Sequence, residues 1–380
     1  MPKRTPKQVI AAFKKTGARV ETRARVKVAK KEDLSLYYTP GVGIASEYLA
    51  KHPKETPSMS VKKNSVAVIS DGTAVLGLGN IGPYGALPVM EGKALIFREF
   101  AGIDAWPIVL STQDPEEIIR TVIAIAPGWG GINLEDIAAP QCFEIERRIN
   151  EALDIPVMHD DQHGTAIVVL AGLMNAAKVV KKDVKKLRVV ISGAGAAGAA
   201  TAKLLVAAGV KDIVVLDRHG AIYQGRKEGM VPHKKELARL TNPRKVRGDL
   251  AIAINGADAF IGLSGKGLLH TDHVRSMAER SIVFALANPI PEIMPDEARA
   301  AGAGVIATGR SDFPNQINNA LVFPGVFRGA LDHHVETITE TMKLQAAHAL
   351  AGLVARPTKE KIVPDIFDAR LVRTVAKAIH

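Results

Sequence analysis

The sequence predicts an α/β protein of two domains, and three observations carry that reading. Short β-branched runs alternate with helical stretches along most of its 380 residues, the pattern of parallel strands joined by helical crossovers. Hydrophobic residues make up 47% of the chain but aromatics only 4%, so the core must be built from Ala, Val, Ile and Leu, which suits helices layered on sheets. A glycine-rich turn between an apolar strand and a helix, near the middle of the chain, marks a nucleotide-binding unit. A chain of this length exceeds one ordinary core. The boundary is expected near Gly164, giving an N-terminal α/β substrate domain over residues 1–164 and a doubly wound parallel-sheet domain with C-terminal helices over 165–380.

The first element is a basic arm. Met1 to Lys31 holds eleven Lys or Arg against Glu21 alone, so nearly all of the net charge of +11 lies there and not in the body. The pattern predicts a solvated amphipathic helix, Gln8 to Lys15, and then an edge strand, Arg19 to Val28, whose alternating charges discourage edge pairing. The competing reading is a polyanion-binding protein, in which the arm contacts nucleic acid or an anionic surface. No apolar run reaches the roughly 18 residues of a membrane span, no signal-peptide pattern is present, and the single cysteine, Cys142, excludes an internal disulfide. A cytoplasmic enzyme is the expectation, with no membrane or nucleic-acid partner.

From Ser65 to about Asp160 the runs VAVIS, ALIF and PIVL read as strands and Pro115 to Ile125 as a helix. A helix over Thr165 to Val180 then leads to strands at Arg188 to Ser192, Ile213 to Asp217, Ala259 to Ser264, Ser281 to Asn288 and Gly304 to Gly309, and the tail from Val335 to Val354 reads as an Ala-rich helix packed on the body.

Gly193-Ala194-Gly195-Ala196-Ala197-Gly198 follows the strand LRVVIS and opens a helix, which makes the second domain Rossmann-type. In such a turn the first glycine permits the tight bend, the second lets a pyrophosphate approach the backbone, and the third allows close helix packing. Asp217 ends the next strand, where an acid meets the adenosine ribose, while Arg218 beside it, or His219 and Arg226 nearby, suits a 2′-phosphate. The cofactor is NAD or NADP. A second GxGxxG, Gly77 to Gly82, is followed by Pro83 and Gly85 and reads instead as a substrate-side turn.

Two acidic doublets, Glu135-Asp136 and Asp160-Asp161, stand beside strand ends. Adjacent carboxylates there repel unless a cation neutralises them, and an oxygen-only set suits Mg²⁺ or Mn²⁺. His159 and His163 raise zinc as the alternative, although no third soft ligand accompanies them. Lys93, placed before the ALIF strand, is a candidate base if burial lowers its pKa. Tyr38, before a Pro-Gly turn, is a candidate proton donor, with Tyr37 a packing residue. Asn288, before Pro289, and Asn318-Asn319 offer amides that orient a carboxylate.

Together YTPGVG, SDGTAVLGLGNIG, EGKALIFREFAGIDA, the LED and HDDQHGTA acids, GAGAAG, ALANP and QINNALVFPGV resemble the malic enzymes, specifically the short prokaryotic type, from about Ser35 to about Gly329. The resemblance implies oxidative decarboxylation of (S)-malate to pyruvate and CO₂ by a homodimer. Malate dehydrogenase or malolactic-type chemistry on the same scaffold is the alternative. It further implies Tyr38 as general acid and Lys93 as general base supported by Asp160. Glu135, Asp136 and Asp161 become metal ligands, and Asn288 and Asn319, with Asn318 adjacent, hold malate. Eukaryotic members carry a carboxylate-binding arginine where this chain has Ala74.

Overall fold

The structure, a computed structural model, describes residues 4–75 and 77–380. The arm comprises α1 (Pro6–Thr16), α2 (Lys31–Tyr37), α3 (Gly41–Lys51) and the single turn α4 (Thr56–Met59), and none of these helices buries a residue. The Gln8 to Lys15 helix forms within α1, started by a capping box in which Thr5 and Gln8 satisfy each other's backbone N–H groups. The edge strand expected over Arg19 to Val28 does not form. Its arginines reach acids on the body instead, Arg19 pairing with Glu91 at 2.8 Å and Arg25 with Asp104, so side chains anchor this stretch where a ladder was expected.

The first sheet is all parallel, ordered β2-β1-β3-β4 from β1 (Ser65–Ser70), β2 (Asp104–Val109), β3 (Gly131–Leu134) and β4 (Val157–His159). Its crossovers are α5 (Gly82–Ala101), α6 (Pro115–Ile125) and α7 (Gln141–Ala152). The run ALIF is therefore helix and not strand. Ala86, Met90, Lys93, Ala94 and Phe97 form the buried stripe of α5, at the three-to-four-residue spacing of a helix. Four apolar residues read without their flanks fit either period.

From β4 the chain passes directly into α8 (Asp160–Val179), which is buried on nearly all sides and runs unbroken through Gly164 to the second half. There β5 (Arg188–Ser192), α9 (Ala196–Ala207), β6 (Asp212–Asp217), β7 (Gly220–Ala221), α10 (Pro232–Leu240), α11 (Leu250–Ile254), β8 (Ala259–Gly262), α12 (Thr271–Ser276), β9 (Ile282–Ala285), α13 (Pro295–Ala300) and β10 (Val305–Thr308) follow in turn. The sheet order β10-β9-β8-β5-β6-β7 has β7 as its antiparallel edge and otherwise parallel pairs. The order reverses between β5 and β8, the position at which doubly wound sheets bind ligands.

Three closing helices, α14 (Phe323–Asp332), α15 (Glu340–Gly352) and α16 (Leu371–Ala376), pack back on the body. Asn175 of α8 donates to the carbonyls of Ala351 and Ile362, both at 2.9 Å, which fixes the tail to the central helix. One hydrophobic cluster extends from Val66 and Phe97 of the first half through α8 to Val189 and Phe284 of the second. The two sheets thus share a core, with α8 as their common wall.

Candidate active site

The acids and the lysine picked out in the sequence meet at the carboxyl edge of the first sheet. Glu135 and Asp136 follow β3, Asp160 and Asp161 open α8, and Lys93 reaches them from α5. The Lys93 ammonium pairs with Asp160 and, at 3.1 Å, with Glu135, and it lies 4.1 Å from the centre of the Phe323 ring. Phe323 is in turn packed edge-on against Phe97, one helical turn beyond Lys93. Lys93 is 8% exposed and Asp160 fully buried.

Lys93 departs from the sequence expectation in basicity as well as in secondary structure. Burial pushes its pKa down, but Asp160 and Glu135 outweigh that and hold it above the ordinary lysine value. Glu135 is pushed well above the usual carboxylate range by burial and by its acidic neighbours, against the pull of Lys93, and burial raises Asp160 similarly.

Asp136 has a left-handed backbone, φ +55°, a conformation rare outside glycine and concentrated at functional sites. Two hydrogen bonds support it. The Asp136 N–H donates to Asp161 Oδ2 at 2.8 Å, and the Ala74 N–H donates to the Asp136 carbonyl at 2.9 Å. Carboxylate oxygens of Glu135, Asp136 and Asp161 lie within 4.8 Å of one another. Together with Asp160 they set four carboxylates against the single charge of Lys93. The Asp160 Oδ1 atom is buried and, among the described residues, has no hydrogen-bond partner. An excess of buried negative charge presented entirely through oxygen fits a hard divalent cation such as Mg²⁺ or Mn²⁺.

The histidines belong to the surroundings of this set. The imidazole of His159 is fully buried and comes no nearer than 3.8 Å to Asp161. His163 is engaged by Glu146 at 3.0 Å and Lys343 at 3.1 Å. Cys142 is buried, and burial raises its thiol pKa. Among the described residues no histidine or cysteine joins the three carboxylates, so the set lacks the soft ligands zinc favours.

The glycine turn has the three properties its spacing requires. A Cβ on Gly193 would meet the Leu263 carbonyl oxygen at 2.4 Å, and one on Gly198 would meet that of Gly193 at 1.9 Å, whereas Gly195 faces open space. Ala196 and Ala197 start α9, and His233 contacts the Ala194 carbonyl at 3.0 Å while its ring stacks on Phe143 of α7. The turn therefore abuts the first domain.

At the end of β6, Asp217 is held by Arg226 at 2.8 and 2.6 Å, Lys234 at 2.7 Å and the His219 N–H at 2.9 Å. Burial opposes ionisation, but these donors keep its carboxyl well below the usual range. Arg218 is exposed and donates to His219. The sequence indicated Arg226 through its proximity but gave no reason to choose Lys234.

Asn288 and Asn319 both come from the second half, and Asn319 is the one placed beside the cluster, next to Gly164 and Asp160. Asn288 lies against the Gly77 turn, where a Cβ on Gly77 would meet its carbonyl oxygen at 2.4 Å. Asn319 and Asp160 crowd Gly164 so closely that a Cβ there would lie 1.8 Å from Asp160 Oδ1 and 3.1 Å from Asn319 Cβ. Asn318 spends its side-chain oxygen on the Ala320 N–H at 2.9 Å. Tyr38 is not brought to this group. It ends α2, 65% exposed, and its hydroxyl takes no part in the contacts around Lys93.

Residues that the sequence did not single out also line the site. Asp71 is buried, holds Thr73 through its side chain at 2.7 Å, and has its pKa raised by burial. Asn133 donates to Glu135 at 3.0 Å. Glu146 contacts both flanks of the second acidic doublet. A polar residue inside an apolar strand, as in GINL, was the available signal for Asn133.

Comparison with known proteins accounts for both halves. Residues 17–150 match the family "Malic enzyme, N-terminal domain" and residues 162–380 match "Malic enzyme, NAD binding domain". An NAD-dependent malic enzyme of Geobacillus stearothermophilus is 54% identical over 365 residues, covering 96% of this chain and 76% of that protein. The bifunctional malic/malolactic enzyme of Bacillus subtilis is 52% identical over 363 residues, covering 95% and 88%. The crystal structure of an NAD-dependent malic enzyme from Thermotoga maritima superposes with a TM-score of 0.94 at 46% identity, covering 97% of this chain and 98% of that one. These matches extend through the sheet that carries the acids and the sheet that carries the glycine turn, and the chain belongs to the malic enzyme family.

Proposed function

We propose that the chain catalyses the divalent-cation-dependent oxidative decarboxylation of (S)-malate to pyruvate and CO₂, reducing NAD or NADP. The observation that carries this reading is the buried Lys93 between Asp160 and Glu135, beside a three-carboxylate set and between the two halves of the molecule. Glu135, Asp136 and Asp161 would hold the cation. When bound it supplies Lewis-acid polarisation of the C2 oxygen and offsets the carboxylate charge that keeps a proton on Lys93.

Lys93 would then take the C2 hydroxyl proton, and NAD or NADP, held at the Gly193 to Gly198 turn, would supply the acceptor for the C2 hydride, giving oxaloacetate. Asp160 holds the lysine and balances its positive charge when it is protonated. Asn288 and Asn319 orient the substrate carboxylates, and Asn318 shapes the loop through its own cap. Loss of the C4 carboxylate as CO₂ leaves the enolate of pyruvate, which protonated Lys93 would protonate at the C2 oxygen; Tyr38 would then deliver a proton to C3 as Lys93 takes the enol proton back, giving pyruvate. Asp217 and Arg218 would hold the adenosine ribose of the dinucleotide, and the turn Gly193 to Gly198 its pyrophosphate.

A homodimer is part of this reading. The arm leaves Ile10, Leu36, Tyr37, Ile44 and Val61 each more than half exposed, and an apolar surface of this kind supports burial against a second copy. Tyr38, 65% exposed at the end of α2, would gain its surroundings from such a second copy. A cytoplasmic location is likewise proposed. Among the described residues no helix is long and apolar enough to cross a membrane.

Purified protein given malate and Mn²⁺ with NAD, or with NADP, is expected to release one CO₂ and one pyruvate per nucleotide reduced. Reduction without CO₂ would make it a malate dehydrogenase, and CO₂ with lactate and no accumulated reduced nucleotide would make it malolactic. Tyr38→Phe should lower overall turnover by roughly 10²- to 10⁴-fold while oxaloacetate reduction is retained, and equal loss of both reactions would remove Tyr38 from the C3 step. Gly164→Ala, which drives a methyl group into Asp160, should cost about 10²-fold in kcat/KM with circular dichroism unchanged. Activity within threefold of wild type would show that Asp160 tolerates displacement.

A further inference from the structure

We infer that Glu146 is the positioning residue for the second acidic doublet, and that it sets the affinity of the cation site without touching the cation. The inference rests on the proposed reading of Glu135, Asp136 and Asp161 as the cation's ligands.

The geometry is that of one buried carboxylate gripping both flanks of Asp160-Asp161. Glu146 extends from α7 and is 8% exposed. Its Oε1 accepts the backbone N–H of His159 at 2.7 Å, immediately before the doublet. Its Oε2 accepts the side-chain N–H of Gln162 at 2.9 Å and meets Nε2 of His163 at 3.0 Å, both immediately after it. Lys343 of α15 donates to Nδ1 of His163 at 3.1 Å. With that nitrogen occupied as an acceptor, a neutral imidazole carries its proton on Nε2 and donates it to Glu146.

Helix α8 has no side-chain cap of its own, because His159 stands at the capping position without making one. An external carboxylate supplies what the helix start lacks, an acceptor for backbone N–H and negative charge at the positive end of the helix. The first turn of α8 is the turn that presents Asp160 to Lys93 and Asp161 to the Asp136 N–H. Freed from Glu146, that turn would carry Asp161 away from Glu135 and Asp136 together. Groups that orient metal ligands from behind typically cost 10- to 100-fold in metal affinity when removed.

The test is Mn²⁺ binding to the nucleotide-free protein, followed by electron paramagnetic resonance of free aqueous Mn²⁺, for wild type, Glu146→Gln and Gln162→Leu. Glu146→Gln, folded by circular dichroism, should bind Mn²⁺ about 10- to 100-fold more weakly, and Gln162→Leu should lose affinity in the same direction by less. Mn²⁺ affinity within twofold of wild type in folded Glu146→Gln would overturn the inference. If that variant does not fold, unchanged affinity in Gln162→Leu overturns it. If wild type itself binds no Mn²⁺, the failure lies in the cation reading and not in the role of Glu146.

Discussion

The arrangement depends on the ion contacts between Lys93 and two buried carboxylates, Asp160 and Glu135. A pair of unit charges 4 Å apart interacts by about 4 kcal/mol at an effective dielectric of 20, so the ionised members of this carboxylate cluster repel one another, a repulsion that local preference would relieve by splaying them apart. Splaying is prevented from several directions. The parallel register of β3 with β4 sets Leu134 beside His159, immediately before the two acidic doublets. The Asp136 N–H holds Asp161, and Phe323 covers the lysine. Such groups are costly to bury, and removing one partner from a buried set is costlier still. The fold maintains the charge excess, and a divalent cation would relieve it.

The same site explains why two sheets are joined by one helix. Asp160 and Asp161 begin α8 on the substrate side, and Gly164, one turn later, touches Asn319 from the cofactor side. Phe323, at the start of α14, comes from beyond the second sheet and completes the wall around Lys93. Asn288 meets the Gly77 turn. A small relative movement of the halves would thus be felt by the lysine, the acids and both asparagines together.

Much of this was legible in the sequence because it rests on local rules. The glycine turn declares itself through spacing and flanking elements, the parallel strands through β-branched runs, and the acidic doublets through their adjacency. What was misread depended on distant partners. ALIF fits a strand until Met90 and Ala86 are counted on the same face, and the charged stretch after Arg19 fits an edge strand until Glu91 and Asp104 are known to meet it. The basicity of Lys93 was expected from burial alone, whereas its neighbours decide the sign. Glu146 stands in an ordinary amphipathic helix, and only the packing of α7 on β4 and α8 brings it to the doublet. Lys234 reaches Asp217 only because α10 folds back beside β6.

A bound divalent cation and the Lys93 ammonium would compete for the same carboxylate charge. The most direct test of this competition is the Mn²⁺ dissociation constant of Lys93→Met against that of wild type, measured without malate or nucleotide. With the ammonium removed and the four acids retained, the variant should bind Mn²⁺ more tightly, by about tenfold for each 1.4 kcal/mol of relieved competition, while losing turnover. Unchanged or weaker binding in a folded variant would contradict the claim.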